Sequence, residues 1–131
     1  MTSFSAPSSR RLGVLVVLLV EDEMMIAMLV EDMLRDLGCD VVKAGHLPRA
    51  LTLANTAALD GAILDINIDG EMVYPVARAL RARGIPFIFS SGYTAAMVPA
   101  EFKDVPLLPK PLEDSVLGPL MEETFGPTGR G

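Results

Sequence analysis

The stretch Ala62-Ile63-Leu64-Asp65 is a short apolar run that stops on a carboxylate. An earlier run, Leu12 to Val20, stops in the same way on Glu21-Asp22-Glu23. Continuous apolar runs of this length suit strands buried on both faces. Laid side by side in a parallel sheet, two such strands bring their acidic ends within a few ångströms. Carboxylates at that range repel by several kcal/mol unless a cation lies between them. An all-oxygen set calls for a hard divalent ion, and Mg²⁺ is the expected one.

Outward from these runs, the hydrophobic period alternates between strand and helix. From Glu23 to Leu37, Ile26, Leu29, Val30, Met33 and Leu37 fall on one helical face, and Gly38 ends the helix. Asp40–Lys43 reads as a short strand. Pro48 opens a second helix, with Leu51, Ala54 and Ala58 as a thin apolar face. Gly61–Asp65 is the third strand. Glu71–Arg83 is predicted as a third helix, with Val73, Val76, Ala77 and Leu80 inward, Pro75 tolerated near its start and Gly84 as its stop. Ile85–Ser90 and Val105–Leu108 are the fourth and fifth strands, the last leading into Pro109-Lys110-Pro111. Tyr93–Ala100 carries only a faint helical pattern. A last helix begins near Leu112, and Gly118-Pro119 within it predicts a kink or an early end. The folded unit is expected over residues 11–126, with loose tails at 1–10 and 127–131.

Strands alternating with helices imply a parallel sheet covered on both faces, with right-handed crossovers. Sites in such sheets form beyond the carboxyl ends of the strands, where the strand order switches. Glu21, Asp22, Asp65, Ser91 and Lys110 all follow strands, so one crevice can collect them. A carboxylate can attack phosphorus and become an aspartyl phosphate, provided its charge is neutralised and the transferring oxygens are held. In that chemistry Asp22 and Asp65 are direct Mg²⁺ ligands, Glu21 acts directly or through water, and Asn67 offers its backbone carbonyl. Lys110 pairs with Asp65 before reaction and with the phosphoryl group afterwards, and the Ser91 hydroxyl bonds a phosphoryl oxygen. Taken singly, these residues have plainer roles. An acidic pair at a helix start compensates the dipole, a lysine is solvated, and Ser-Gly makes a turn. Their joint placement after four strands is what points to the chemistry.

Composition narrows the classes. The chain has 131 residues, half of them hydrophobic, enough for one domain with a real core. A net charge of −6 argues against a nucleic-acid partner. Arg10-Arg11 followed by Leu12–Val20 imitates a secretory signal, but no small-residue cleavage pattern follows, and the run is too short to span a membrane. The protein is expected to be cytoplasmic, with no membrane partner. The single cysteine, Cys39, reads as a buried side chain, the single histidine, His46, as a loop or cap residue, and the eight methionines as core or helix surface.

The segments Val-Leu-Leu-Val-Glu-Asp-Glu ending at Glu23, Ile63-Leu64-Asp65-Ile66-Asn67, Ser91-Gly92 and Lys110-Pro111 resemble the receiver domain of bacterial two-component response regulators. The resemblance runs from Leu12 to about Phe125. It implies an α/β, flavodoxin-like (βα)5 three-layer sandwich with a parallel five-stranded sheet of order 2-1-3-4-5. It also implies Asp65 as phosphoacceptor, Glu21 and Asp22 as the acidic metal pair, Ser91 at the hydroxyl position and Lys110 as the family's lysine. Pro86-Phe87-Ile88-Phe89-Ser90-Ser91-Gly92-Tyr93 is similar to the Pro-Phe-x-Phe-Ala-Thr-Gly-Gly/Tyr signature of stand-alone alphaproteobacterial receivers associated with stress-signalling phosphorelays, with serine at both the alanine and threonine places. Two positions depart from the ordinary family pattern. Leu107 stands where an aromatic residue usually swings inward, and Asp69 stands where proline is common.

The partners so implied are a sensor histidine kinase or a histidine phosphotransfer protein, with a second copy of the chain as a further candidate. No further domain is expected after the last helix, so output is expected through binding rather than enzymatic turnover. The loop from Ser90 to Val98 is the expected moving part, with Tyr93 a candidate shield at the site's mouth. A phosphoryl shuttle or sink without a switched partner is the alternative. A small phosphatase with an Asp nucleophile would want a second aspartate where Asn67 stands. A calcium loop opening at Asp65 would want a glutamate where Val76 stands. A flavodoxin-like cofactor binder would meet repulsion between its phosphate and Glu21-Asp22-Glu23.

Overall fold

The computed structural model describes residues 14–92, 98–110 and 113–125. Five parallel strands form one sheet: β1 (Val16–Val20), β2 (Asp40–Ala44), β3 (Gly61–Asp65), β6 (Phe87–Ser91) and β7 (Leu107–Pro109). Their spatial order is β2-β1-β3-β6-β7, which is 2-1-3-4-5 when only the strands of this sheet are counted. Helices α1 (Met24–Asp36), α2 (Leu47–Thr56), α3 (Tyr74–Ala82) and α4 (Asp114–Phe125) connect or follow them. A small antiparallel hairpin, β4 (Asn67–Ile68) with β5 (Glu71–Met72), stands between β3 and α3.

Strand alternation divides the core between the two sides of the sheet. Leu18, Val20, Ala62, Leu64, Phe87 and Phe89 face α2 and α3. Val17, Leu19, Ile63, Ile88 and Leu108 face α1 and α4. Strands buried on both faces leave no polar positions until they end, which is why carboxylates and hydroxyls gather at the strand ends. The register then aligns those ends. Val20 pairs with Leu64, Asp65 with Ser90, and Ser91 with Pro109.

At the other end of β3, the Phe125 ring of α4 lies so close to Gly61 that an added Cβ would come within 2.7 Å of it. Between β6 and β7 in the chain, a 3₁₀ turn, Ala100–Phe102, buries Phe102 against Tyr74 (ring centroids 5.5 Å apart) and Phe89 (5.6 Å). Arg81 covers the Phe102 and Phe87 rings at 5.3 and 5.6 Å, and donates to the Glu101 carbonyl and the Asp104 carboxylate.

Several boundaries differ from the sequence expectation. In α1 the inward residues are Ala27, Val30, Met33 and Leu34, while Leu29 is 53% exposed. Over its first two turns, Met24 to Val30, the helix is apolar all round, so spacing alone leaves its rotation underdetermined there. In α2 the buried pair is Ala50 and Ala54, and Ala58 is exposed because the helix stops at Thr56. Helix α3 begins at Tyr74 because Glu71-Met72 is spent on the hairpin, yet Val73, Val76, Ala77 and Leu80 are all buried as expected. The fifth strand begins two residues later than expected and ends one later, since Val105 is held by its N–H on the Phe102 carbonyl. Of the kink or early end expected at Gly118-Pro119, the early end does not occur, and α4 continues to Phe125. Pro119 removes the bond to the Ser115 carbonyl, but both residues are exposed and water can take that bond. The expected helical stretch from Tyr93 lies largely outside the described residues, as do Leu112 and both predicted tails.

Candidate functional site

Each site residue is delivered by the end of a strand. The Glu21 N–H bonds the Ala44 carbonyl at 3.1 Å, so the backbone stays in the sheet for one residue after β1. That places its side chain in the crevice, 4% exposed, with Oε2 accepting the Glu23 N–H at 3.1 Å. Asp22 is exposed beside it, and its Oδ2 accepts the Asp69 N–H of the hairpin tip at 2.8 Å. Asp65 ends β3, 7% exposed. Lys110 follows β7, where its N–H bonds the Ser91 carbonyl at 3.2 Å. Its Nζ crosses the end of β6 to reach both Asp65 Oδ2 and Glu21 Oε1, at 2.9 Å each.

Glu21, Asp22 and Asp65 each present a carboxylate oxygen, all within 4.8 Å of one another. Against one ammonium, these three carboxylates leave an excess of two negative charges. Burial pushes the Glu21 carboxyl above its usual range, against the pull of the Lys110 ammonium and the Glu23 N–H. Burial works against the Lys110 ammonium as well, but its bonds to Asp65 and Glu21 outweigh that and hold it above its usual value. A divalent cation matches the excess charge, and an all-oxygen donor set matches a hard ion. Oxygens on opposite sides of a Mg²⁺ ion stand about 4.2 Å apart, so the trio fits Mg²⁺ after small shifts.

Asn67 lies two residues past Asp65. Its N–H reaches Asp65 Oδ1 at a long 3.4 Å, and its side-chain Oδ1 accepts the Gly70 N–H at 2.8 Å. Ser91 is the last residue of β6 rather than the first after it, and is 3% exposed. The sheet therefore brings Glu21, Asp22, Asp65, Ser91 and Lys110 to one edge, as the strand pattern implied, with Asn67 beside them. Tyr93 lies outside the described residues. Leu107 is half-buried in β7. His46 occupies the N-cap position of α2, and Cys39 is buried. Val76 is buried in α3 and Ile63-Leu64 lie in β3, so the calcium-loop reading has no structural footing.

Sequence reasoning missed two features. One is the Asp69 amide on Asp22, foreshadowed by the Asp-Gly pair, a hairpin-turn signal. The other is Ser90 Oγ, buried and without a hydrogen-bond partner among the described residues.

A profile of the response regulator receiver domain matches residues 17–117. Among solved structures, SdrG from Sphingomonas melonis Fr1 is 38% identical over 83% of this chain and 94% of its own, with a TM-score of 0.73. The receiver domain of the hybrid histidine kinase CckA is 28% identical over 82% of this chain and 96% of its own, at 0.68. The receiver domain of sensor histidine kinase PA1611 from Pseudomonas aeruginosa PAO1, solved with magnesium coordinated in its active-site cleft, is 24% identical over 86% and 98%, at 0.70. No curated protein matches the chain. Among the described residues, no helix is long and apolar enough to cross a membrane.

Proposed function

The chain belongs to the response regulator receiver family, and on that premise we propose that Asp65 accepts a phosphoryl group in a magnesium-dependent transfer. The donor is the phosphohistidine of a histidine kinase or a histidine phosphotransfer protein. An Asp65 oxygen attacks phosphorus as the P–N bond breaks, and the electron pair leaves on the imidazole, which takes up a proton. The observation that carries this reading is the Lys110 ammonium held 2.9 Å from both Asp65 and Glu21, within an acidic trio that lacks two positive charges.

Glu21, Asp22, Asp65 and the Asn67 carbonyl would hold Mg²⁺, which supplies charge neutralisation to the transferring oxygens. Lys110 keeps a fixed positive charge over Asp65 and follows the added oxygens. Ser91 donates its hydroxyl to one of them. A phosphoryl group brings about two negative charges to this edge of the sheet. Drawing Ser91 and Lys110 towards it shifts the segment after β6 and alters the surface offered to a protein partner.

Acetyl phosphate with and without Mg²⁺, followed by intact mass, tests the reading. The expected result is one added phosphoryl group only with Mg²⁺, and none on Asp65→Asn. Equal labelling of Asp65→Asn refutes the assignment. Partner binding by phosphorylated Ser91→Ala tests the output step, with reduced discrimination between phosphorylated and free protein expected. Equal discrimination, with onward transfer to a histidine protein, would favour the shuttle.

A further inference from the structure

The β4–β5 hairpin turns on Asp69 and Gly70, whose φ angles of 55° and 87° both lie in the left-handed region. That is the mirror-image turn whose twist matches paired strands. A proline at residue 69 cannot adopt it, since its ring fixes φ near −65°. The hairpin is rooted in the core. Ile68 is 1% exposed, and the Val73 N–H closes its base on the Ile66 carbonyl at 2.8 Å. Both amides at the tip are directed to neighbours of the site, Gly70 to the Asn67 side chain and Asp69 to Asp22 Oδ2, each at 2.8 Å.

We propose that this hairpin tip positions Asp22 as a one-oxygen ligand, and so biases the site towards Mg²⁺ over Ca²⁺. With Oδ2 held by the Asp69 amide, Asp22 has Oδ1 left for a metal. The other two carboxylates are encumbered too, Asp65 through Oδ2 by Lys110 and Glu21 through both oxygens. Each bonded oxygen keeps a second lone pair, so each side chain can still give a metal one oxygen, while symmetric chelation through two is disfavoured. Ca²⁺ takes six to eight oxygens and accepts two from one carboxylate, whereas Mg²⁺ demands a small octahedron of single oxygens. Denying chelation by a whole carboxylate therefore weakens Ca²⁺ more than Mg²⁺. The role of Asp69 is carried by its backbone, and its own side chain is exposed.

This inference rests on the reading of the acidic trio as a metal site, and calorimetric titration of the full chain with Mg²⁺ and with Ca²⁺ separates the two. Asp69→Asn keeps both the amide and the turn, and is expected to bind Mg²⁺ with unchanged Kd and unchanged preference over Ca²⁺. Asp69→Pro removes the amide and breaks the turn. Its Mg²⁺ Kd is expected to rise about tenfold, the cost of one charge-assisted hydrogen bond, and its preference for Mg²⁺ to shrink. Gly70→Ala meets no atom within 4 Å and strains only the backbone, so it decides the matter if the proline variant does not fold. Wild-type Kd and preference in a folded Asp69→Pro or Gly70→Ala overturn the positioning role alone. Equal impairment in Asp69→Asn assigns the effect to the side-chain charge and overturns it too. Failure of the wild type to bind Mg²⁺ sinks the metal reading and this inference together.

Discussion

Replacing Lys110 with methionine keeps most of the apolar stem and deletes the charge. The ammonium stands 2.9 Å from Asp65 Oδ2 and from Glu21 Oε1, and the three side chains are 21%, 9% and 4% exposed. At an effective dielectric of about 20, each pair attracts by about 6 kcal/mol before desolvation is subtracted. Asp65 and Glu21, with oxygens within 4.8 Å of each other, repel by at least about 3 kcal/mol on the same basis. Stripping the partner from a buried ion pair costs about 3–5 kcal/mol. Lys110 is partly hydrated, so the low end applies, about 3 kcal/mol. With an m-value of about 2 kcal/mol/M, the urea midpoint falls by about 1.5 M in Mg²⁺-free buffer at neutral pH. Two conditions should shrink the loss. Magnesium substitutes for the missing cation. Acid does so as well, because burial already holds the Glu21 carboxyl above its usual range, and losing the ammonium raises it further. A carboxyl raised in the folded state stabilises at low pH and loses that contribution as pH climbs through its folded value, so the deficit grows from acid towards neutrality. A Lys110→Met midpoint equal to wild type at neutral pH without magnesium would refute the charge reasoning.

Ser90→Ala removes a buried hydroxyl that no group among the described residues satisfies, so it should raise stability by about 1 kcal/mol, or about 4 °C in Tm. A lower Tm would show that the hydroxyl has a partner. Burial, with Asp40 and Asp60 nearby, pushes the Cys39 thiol up to about 11, so only about 0.1% is thiolate at pH 8. Iodoacetamide should modify it slowly in the native protein and rapidly in urea, with mass spectrometry as the readout. Arg81→Ala should cost about 1–2 kcal/mol through two ring contacts and its bonds to Glu101 and Asp104. Arg78→Ala should cost less, because that side chain covers one ring and is more exposed. Equal urea midpoints for the two variants would count against the ring contacts.

The sheet was legible because buried parallel strands carry a signal that little else imitates. Val17–Val20, Ala62–Leu64 and Phe87–Phe89 are continuous apolar runs, and each stops where polar residues begin. The site followed from them, since Glu21, Asp65, Ser91 and Lys110 occupy strand ends that the register brings level. Helix rotation was less legible. In α1, Met24, Met25, Met28 and Leu29 are apolar yet exposed, and periodicity cannot separate them from the inward face. The hairpin was hidden by its size. Strands of two residues have no period to detect, and Glu71-Met72 merged with the helical pattern that follows. The Asp69-Gly70 pair was the available signal.

The close approach of Phe125 to Gly61 gives the molecule two separate poles. Gly61 opens the strand that Asp65 closes, four steps or about 13 Å along it. A dye or sensor module placed beside Phe125 itself therefore sits on the far side from the acidic crevice. Reporters built at that end should leave the chemistry undisturbed, while a methyl group at residue 61 would unseat their anchor.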